Sequence, residues 1–182
     1  MRRPEPGEHA AYYSTYVDRV PERPVLDVLV EAPTALTELL RSVGPPDEDF
    51  AYAPGKWSFR QSLAHVLDTE RLFAYRALHI ARCDPAELPG MDPNVWAVAA
   101  GAGSRPLADL LAEFTDLRAA NARLFSTFDG TTLDRRGTAS GFEFTVRALV
   151  YITAGHELHH RAIFAERYLG AAGLLRGRGS DA

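Results

Sequence analysis

The chain has 182 residues, 46% of them hydrophobic and 24% charged, which is the composition of one ordinary globular domain. Its formal net charge of -4 argues against the basic surface that nucleic-acid-binding domains carry. Cys83 is the single cysteine, which excludes an intramolecular disulfide and a cysteine-based metal site.

The two ends of the chain have the least regular sequence. Residues 1–9 are charged and proline-rich, and residues 170–182 are glycine-rich, so we expect both to be flexible parts of a single domain spanning 1–182. The sequence has no apolar N-terminal segment like that of a signal peptide and no apolar run of about 18 residues. We therefore expect a cytoplasmic protein with no membrane contact and no nucleic-acid partner.

Two segments in the first half carry apolar residues at the spacing of an amphipathic helix. The first begins near Pro24 and contains Pro33, which should kink the helix or separate its first turns. The second covers roughly residues 59–82. Its start is marked by Ser58 and Gln61, which have the spacing of a capping box.

Two further helices are predicted in the second half, from about Ser104 to Phe128 and from about Phe144 to Leu169. The long connection 83–105 contains a short segment, beginning at Asp92, that is predicted to start a helix. A connection of this length usually has a functional role. No segment shows the alternation of a strand. The pattern predicts an all-α, up-down four-helix bundle with a long crossover loop.

Three of the six histidines, His156, His159 and His160, lie within the last helix. Residues four apart share one face of a helix, so His156 and His160 can direct their rings at one point. His65 lies on the flank of the apolar face of the second long helix. Together the three would form a metal site that leaves positions open for water or a substrate.

Other interpretations compete with a metal site. Six scattered histidines give some pair four apart roughly one time in six, and a lone His65 is more often an ordinary core or surface residue. Two unpaired imidazoles on an inward stripe would be costly, which favours the metal.

Asp68 could hydrogen-bond a ligand histidine or be solvated, and Asp92 could line a pocket or pack as an ordinary loop residue. His159 is a bystander or a neighbour of the ligands.

Four segments carry a family resemblance: YAPGKWSFRQSLAHVLDTERLFAYRAL, LPGMD, RPLADLLAEFTDLRAAN and TVRALVYITAGHELHHRAIFAERYL. The most specific parts are KWS followed by His65-x-x-Asp68, and His156-x-x-x-His160. On these residues the chain resembles the DinB-like (DinB/YfiT) metalloenzyme superfamily over essentially its whole length. The resemblance implies one divalent ion held by His65, His156 and His160. Ile163 stands where many members have a glutamine, which puts any role of that glutamine in doubt.

The same resemblance sets the functional expectations. Members include S-transferases that use a low-molecular-weight thiol such as bacillithiol or mycothiol, and a thiol-dependent maleylpyruvate isomerase; relatives are often homodimers. We expect a zinc, nickel, iron or manganese ion that activates a thiol or water against a small electrophilic substrate. The alternatives are a non-catalytic, stress-related bundle that binds a small ligand around a structural metal, and a metal-free helical interaction module.

Overall fold

The computed structural model describes residues 1–170, which form a helical bundle with one small hairpin. The four long helices are α2 (Val25–Leu40), α3 (Phe59–Ala81), α5 (Leu107–Ser126) and α7 (Val146–Ile163). The short helices are α1 (Ser14–Val17), α4 (Pro93–Ala99) and α6 (Gly130–Leu133). Single 3-10 turns cover Pro6–Glu8, Ala11–Tyr13 and Ala102–Ser104, and a π-helix continues α7 over Phe164–Leu169. The predicted four-helix bundle is confirmed.

The helix starts follow from local hydrogen bonds that the sequence encodes. At α3, the Ser58 hydroxyl accepts the Gln61 backbone N–H at 3.3 Å, and the Gln61 side chain accepts the Ser58 backbone N–H at 2.9 Å. At α7, the Thr145 hydroxyl accepts the Ala148 N–H at 3.0 Å. These bonds satisfy N–H groups that have no partner within the first turn of a helix. They fix where the two histidine-bearing helices begin.

The long helices pack in an order different from their order in the chain. The main packing partners of α3 are α7 and α5, whereas α2 packs on α5 and α7. The consecutive helices α2 and α3 are not main partners, and the connection 41–58 carries the chain across the bundle between them. This arrangement places α3 beside α7.

The core consists of two apolar clusters with polar side chains between them. One cluster contains Leu29, Phe73 and Ile152, and the other contains Leu36 and Phe164. Between the clusters lies a set of buried polar residues that we call the polar layer: His65, Thr69, Glu70, Arg118, Asn121, His156, Glu157 and His160. Because burial of polar groups is costly unless they are paired, this layer is where a function is expected.

A β-hairpin precedes α7 where the sequence predicted only a loop. Strands β1 (Arg136–Ala139) and β2 (Phe142–Thr145) pair in antiparallel fashion. Ser140 and Gly141 join them with φ angles of 56° and 76°, as in the type I′ turn that suits two-residue hairpins. The predicted helix start at Phe144 was therefore wrong by two residues. Four-residue strands are too short to show a reliable alternating pattern.

Two further expectations are corrected. Residues 1–9 are packed on the bundle, because Arg3 donates to the Val17 carbonyl at 2.6 Å and Glu8 accepts from Arg2 at 2.6 Å. Pro33 does not split its helix, since α2 is continuous from Val25 to Leu40. The segment 171–182 lies outside the described residues. Within residues 1–170, no helix combines the length and the apolar character needed to cross a membrane.

Candidate metal centre

Three histidines of the polar layer converge between α3 and α7. His65 comes from α3, and His156 and His160 come from successive turns of α7; all three are buried. One nitrogen of each ring lies within 4.8 Å of the others, and the Nε2 atoms of His65 and His156 are 3.2 Å apart. The spacing of four on α7 and the packing of α3 against it bring the rings together.

Neighbouring side chains hold the rings from the sides. The Trp57 ring lies 4.7 Å from the His65 ring, and the Thr69 hydroxyl is 3.4 Å from His65 Nδ1. The rings of Tyr16 and Phe73 meet the His156 ring edge-on at 5.2 and 5.8 Å. These contacts restrict the rotation of the His65 and His156 rings.

The three imidazoles are neutral at pH 7. Burial, reinforced by the neighbouring His159, lowers the pKa of His65 to about 4. Burial together with the adjacent imidazoles lowers the pKa of His156 and His160 well below its usual value. Neutral imidazole is the form that binds a metal ion.

The donor set fits a divalent ion. Two nitrogens bonded to one zinc ion at about 2.0–2.1 Å in a tetrahedron are about 3.3 Å apart. The His65–His156 distance is 3.2 Å, and all three donor atoms lie within 4.8 Å of one another. In addition, the buried Nδ1 of His160 has no hydrogen-bond partner among the described residues. Three imidazoles suit zinc, nickel and iron better than manganese, which prefers oxygen ligands.

A cavity of about 400 Å³ opens onto the three histidines. Its walls are mostly aromatic and apolar, with Tyr12, Tyr13, Tyr16, Trp57, Leu72, Phe73, Met91 and Pro93. Besides the histidines and the tyrosine hydroxyls, its polar lining comes from Thr69 and Arg76, and none of the lining side chains of the described chain is acidic. Such a volume and lining are typical of a small-molecule site.

The DinB superfamily profile matches residues 29–164, which is most of the chain and includes all three histidines. The chain belongs to the DinB superfamily. No curated protein matches it. Its structure is similar to that of YfiT from Bacillus subtilis, described as a probable metal-dependent hydrolase with an unusual four-helix bundle topology. The two are 17% identical with a TM-score of 0.71, over 96% of this chain and 94% of that chain. At this identity the likeness shows the fold.

Two acidic residues considered from the sequence lie away from the DinB-superfamily histidines. Asp68 pairs with Arg71 at 3.7 Å, and within residues 1–170 it makes no hydrogen bond to a histidine of the site. Asp92 accepts the Asn94 N–H at 2.8 Å and so caps α4. Neither lines the cavity at the three histidines. Asp68 lies about 60° around the helix from His65. It is on the side opposite to Thr69, which is the residue that approaches the His65 ring.

His159 lies beside the three histidines without joining them. Its ring is 5.5 Å from the Tyr16 ring and 5.3 Å from the His160 ring, and it does not line the cavity. Ile163 lines a second cavity of about 230 Å³ on another side of His160. An apolar side chain therefore lies next to the site on that side.

Three residues of the site were missed from the sequence: Tyr16, Trp57 and Arg76. Arg76 had a usable signal, because His65, Thr69, Leu72 and Arg76 follow one helical stripe at spacings of four, three and four. Trp57 had a signal of another kind, since it belongs to the KWS segment that carries the family resemblance, although no role followed from it. Helical periodicity gave none for Tyr16, because it reaches the site from the separate short helix α1.

Proposed function

We propose that this protein is a metal-dependent enzyme in which His65, His156 and His160 hold one divalent ion and the adjoining cavity admits a small electrophilic substrate. The observation that carries the proposal is the convergence of three neutral imidazoles at a cavity of substrate size. The description of YfiT as a probable metal-dependent hydrolase supports it. The incoming nucleophile is water in a hydrolase and a low-molecular-weight thiol in an S-transferase.

A three-histidine set suits a catalytic rather than a structural ion, because it leaves coordination positions free. A bound ion would supply acidification of water or of a thiol near neutral pH. The protein contributes three ligands whose positions are fixed by the fold before an ion binds. His156 and His160 are held on one helix, His65 is held on the helix packed against it, and all three are kept neutral by burial.

The cavity walls orient the substrate and limit access of water. Tyr13, Phe73 and Leu72 offer an apolar surface to the body of the substrate, and Trp57 covers His65. Because no described acidic side chain lines the cavity, the walls themselves supply no carboxylate base. Deprotonation of the nucleophile would therefore depend on the ion rather than on an Asp or Glu.

Metal content tests the first half of the proposal. The purified full chain is reconstituted separately with zinc, nickel, iron and manganese, and bound metal is measured after desalting. We expect about one ion per chain in the wild type and none in His156→Ala. His79→Ala is the matched control, because the His79 side chain bonds the Ala86 carbonyl at 2.9 Å and does not line the cavity. A wild-type chain that binds none of the four ions contradicts the proposal.

A substrate screen tests the second half. The reconstituted protein is incubated with activated esters and with alkylating electrophiles, each with and without a low-molecular-weight thiol. Turnover that follows metal content and needs the thiol identifies an S-transferase, whereas turnover without the thiol identifies a hydrolase. A bound ion with no exchangeable water and no turnover in any reaction favours the non-catalytic bundle with a structural metal.

A further inference from the structure

Arg76 is a buried cation in the wall of the cavity. It is 1% exposed and lies on α3, on the same side of the helix as His65. Its Nη2 donates to the Pro89 carbonyl and to the Ser140 hydroxyl, both at 2.8 Å. Its buried Nε has no hydrogen-bond partner among the described residues. The guanidinium is thus held in place by the long loop, by the hairpin turn and by the neighbouring Tyr13 side chain, while the Nε donor is left unused.

Within residues 1–170, Arg76 has no counter-ion of the kind that comparable arginines have. Buried Arg118 bonds Glu70 at 2.7 Å, and buried Arg147 lies 3.6 Å from Glu8. No carboxylate of residues 1–170 comes within salt-bridge distance of Arg76. A buried charge without a partner is costly, and a guanidinium keeps its proton at neutral pH. The missing partner therefore points to an anion that is not part of the described chain.

The position of Arg76 also indicates the length of that ligand. Eleven residues of helix separate Arg76 from His65, which corresponds to a rise of about 16 Å. Long side chains on a helix lean toward its N-terminus, which shortens the gap between the guanidinium and the histidines. The same cavity touches both ends, with Leu72 and Phe73 between them. A ligand that fills it is elongated and apolar in the middle.

We propose that Arg76 binds a carboxylate at the end of the substrate opposite to the group that reacts at the histidines. The assignment of the reacting end rests on the proposed function, whereas the anion site rests on Arg76 alone. Guanidinium and carboxylate form short, charge-assisted hydrogen bonds. The carboxylate belongs either to the electrophile or to the thiol. In both cases the substrate class is an elongated monocarboxylate rather than a neutral molecule.

Two matched pairs of probes test the proposal by calorimetric titration of the full chain, with its metal content recorded. The pair phenylbutyrate and phenylbutanol stands for the electrophile, and the pair mercaptohexanoate and mercaptohexanol stands for the thiol. We expect the carboxylate of at least one pair to bind about tenfold or more tightly than its alcohol, as for a hydrogen bond to a charged group. The pair that shows the preference identifies the source of the carboxylate.

Three variants test whether the preference for the carboxylate over the alcohol depends on Arg76. Arg76→Gln keeps a donor for the Pro89 carbonyl but removes the charge, so it should bind acid and alcohol equally. Arg76→Lys should retain a reduced preference. Ser140→Gly removes the hydroxyl bonded to Arg76 while leaving the charge, and glycine suits the φ of 56° at this turn, so it should retain the preference. Thermal unfolding confirms that each variant is folded.

The outcomes separate this proposal from the metal-dependent function. Equal binding of acid and alcohol by the wild type in both pairs overturns the proposal, even if Arg76→Gln does not fold. A preference that persists in Arg76→Gln also overturns it, because the carboxylate then binds elsewhere, for example at the ion. An Arg76-dependent preference in a chain that binds no metal upholds the anion site and rejects the metal-dependent function.

Discussion

The backbone of Tyr16 lies directly against Gly155: a Cβ atom on Gly155 would be 2.0 Å from the Tyr16 carbonyl oxygen. Gly155 precedes His156, and the Tyr16 ring contacts both His156 and His159. Only a residue without a side chain lets α1 approach α7 this closely. The contact places one wall of the cavity.

Gly155→Ala should displace α1, because the added methyl group meets backbone atoms that cannot rotate away. We expect a loss of about 1–3 kcal/mol in the free energy of unfolding, the usual cost of overpacking. Urea denaturation measures it. Gly130→Ala is the matched control, since nothing lies within 4 Å of its added Cβ, and it should be neutral or slightly stabilising. Equal effects of the two changes would contradict the close contact.

The stability of the metal-free protein should depend on pH through His65. Its pKa is about 4 in the folded state, against 6.5 for an ordinary histidine, so the unfolded state binds more protons between these values. The free energy of unfolding should therefore be level above pH 6.5 and fall as the pH drops toward 4. Urea denaturation of wild type and His65→Gln isolates this contribution, and the variant should show the shallower slope. Parallel slopes would contradict the low pKa.

Removing only one partner of the Glu70–Arg118 ion pair should strongly destabilise the fold. Arg118 donates to Glu70 at 2.7 and 3.0 Å, and Asn121 donates to the other carboxylate oxygen at 3.1 Å. Arg118→Met leaves a buried, uncompensated carboxylate, which should cost about 3–5 kcal/mol of stability.

Removing both partners should cost less than the sum of the single changes, since the residues are coupled. Denaturation of Arg118→Met, Glu70→Gln and the double variant forms the thermodynamic cycle. Arg23→Met serves as the control, because the Arg23–Glu31 pair is exposed, and it should leave stability unchanged. If the loss of stability in the double variant equals the sum of the two single losses, the two side chains do not act as a pair.

Asp68 and Asp92 should be dispensable for metal binding. Asp92→Ala removes the cap of α4 and should cost about 1 kcal/mol locally, while the metal content should stay that of the wild type. Asp68→Asn should also keep its metal, because its partner is Arg71 rather than a histidine. Metal analysis of both variants beside His65→Ala makes the comparison. Loss of the ion in either aspartate variant would place a carboxylate in the site.

Metal should stabilise the fold if the three histidines hold it. An ion that binds only the folded state at 100 times its dissociation constant adds about 2.7 kcal/mol. Thermal unfolding with added zinc and then with a chelator should show an upward shift that the chelator reverses. His160→Ala should show no shift. A stabilisation that survives this change would place the ion elsewhere.

Short-range patterns in the sequence were enough to predict the helices and the histidine pair. The capping pair Ser58 and Gln61 and the spacing of His156 and His160 act within one or two helical turns, so they can be read without knowing what packs nearby. They predicted the bundle and the His156–His160 pair, and the family resemblance added His65. The structure brings the three residues together. The homodimer, the cytoplasmic location and the thiol cosubstrate stay predictions.

The surroundings of those histidines depend on contacts between residues that are far apart in the chain. Arg76 depends on Pro89 and Ser140, and the wall at Tyr16 depends on Gly155. These partners are 13, 64 and 139 residues apart in the chain. Helical periodicity says which side of α3 Arg76 occupies, but whether a carboxylate faces it depends on how the loop and the hairpin pack. Local sequence patterns and the family resemblance therefore suffice for the helices and the candidate ligands. Long-range packing determined the cavity and left the Arg76 charge without a carboxylate partner among residues 1–170, because burial and pairing are properties of the whole assembled core.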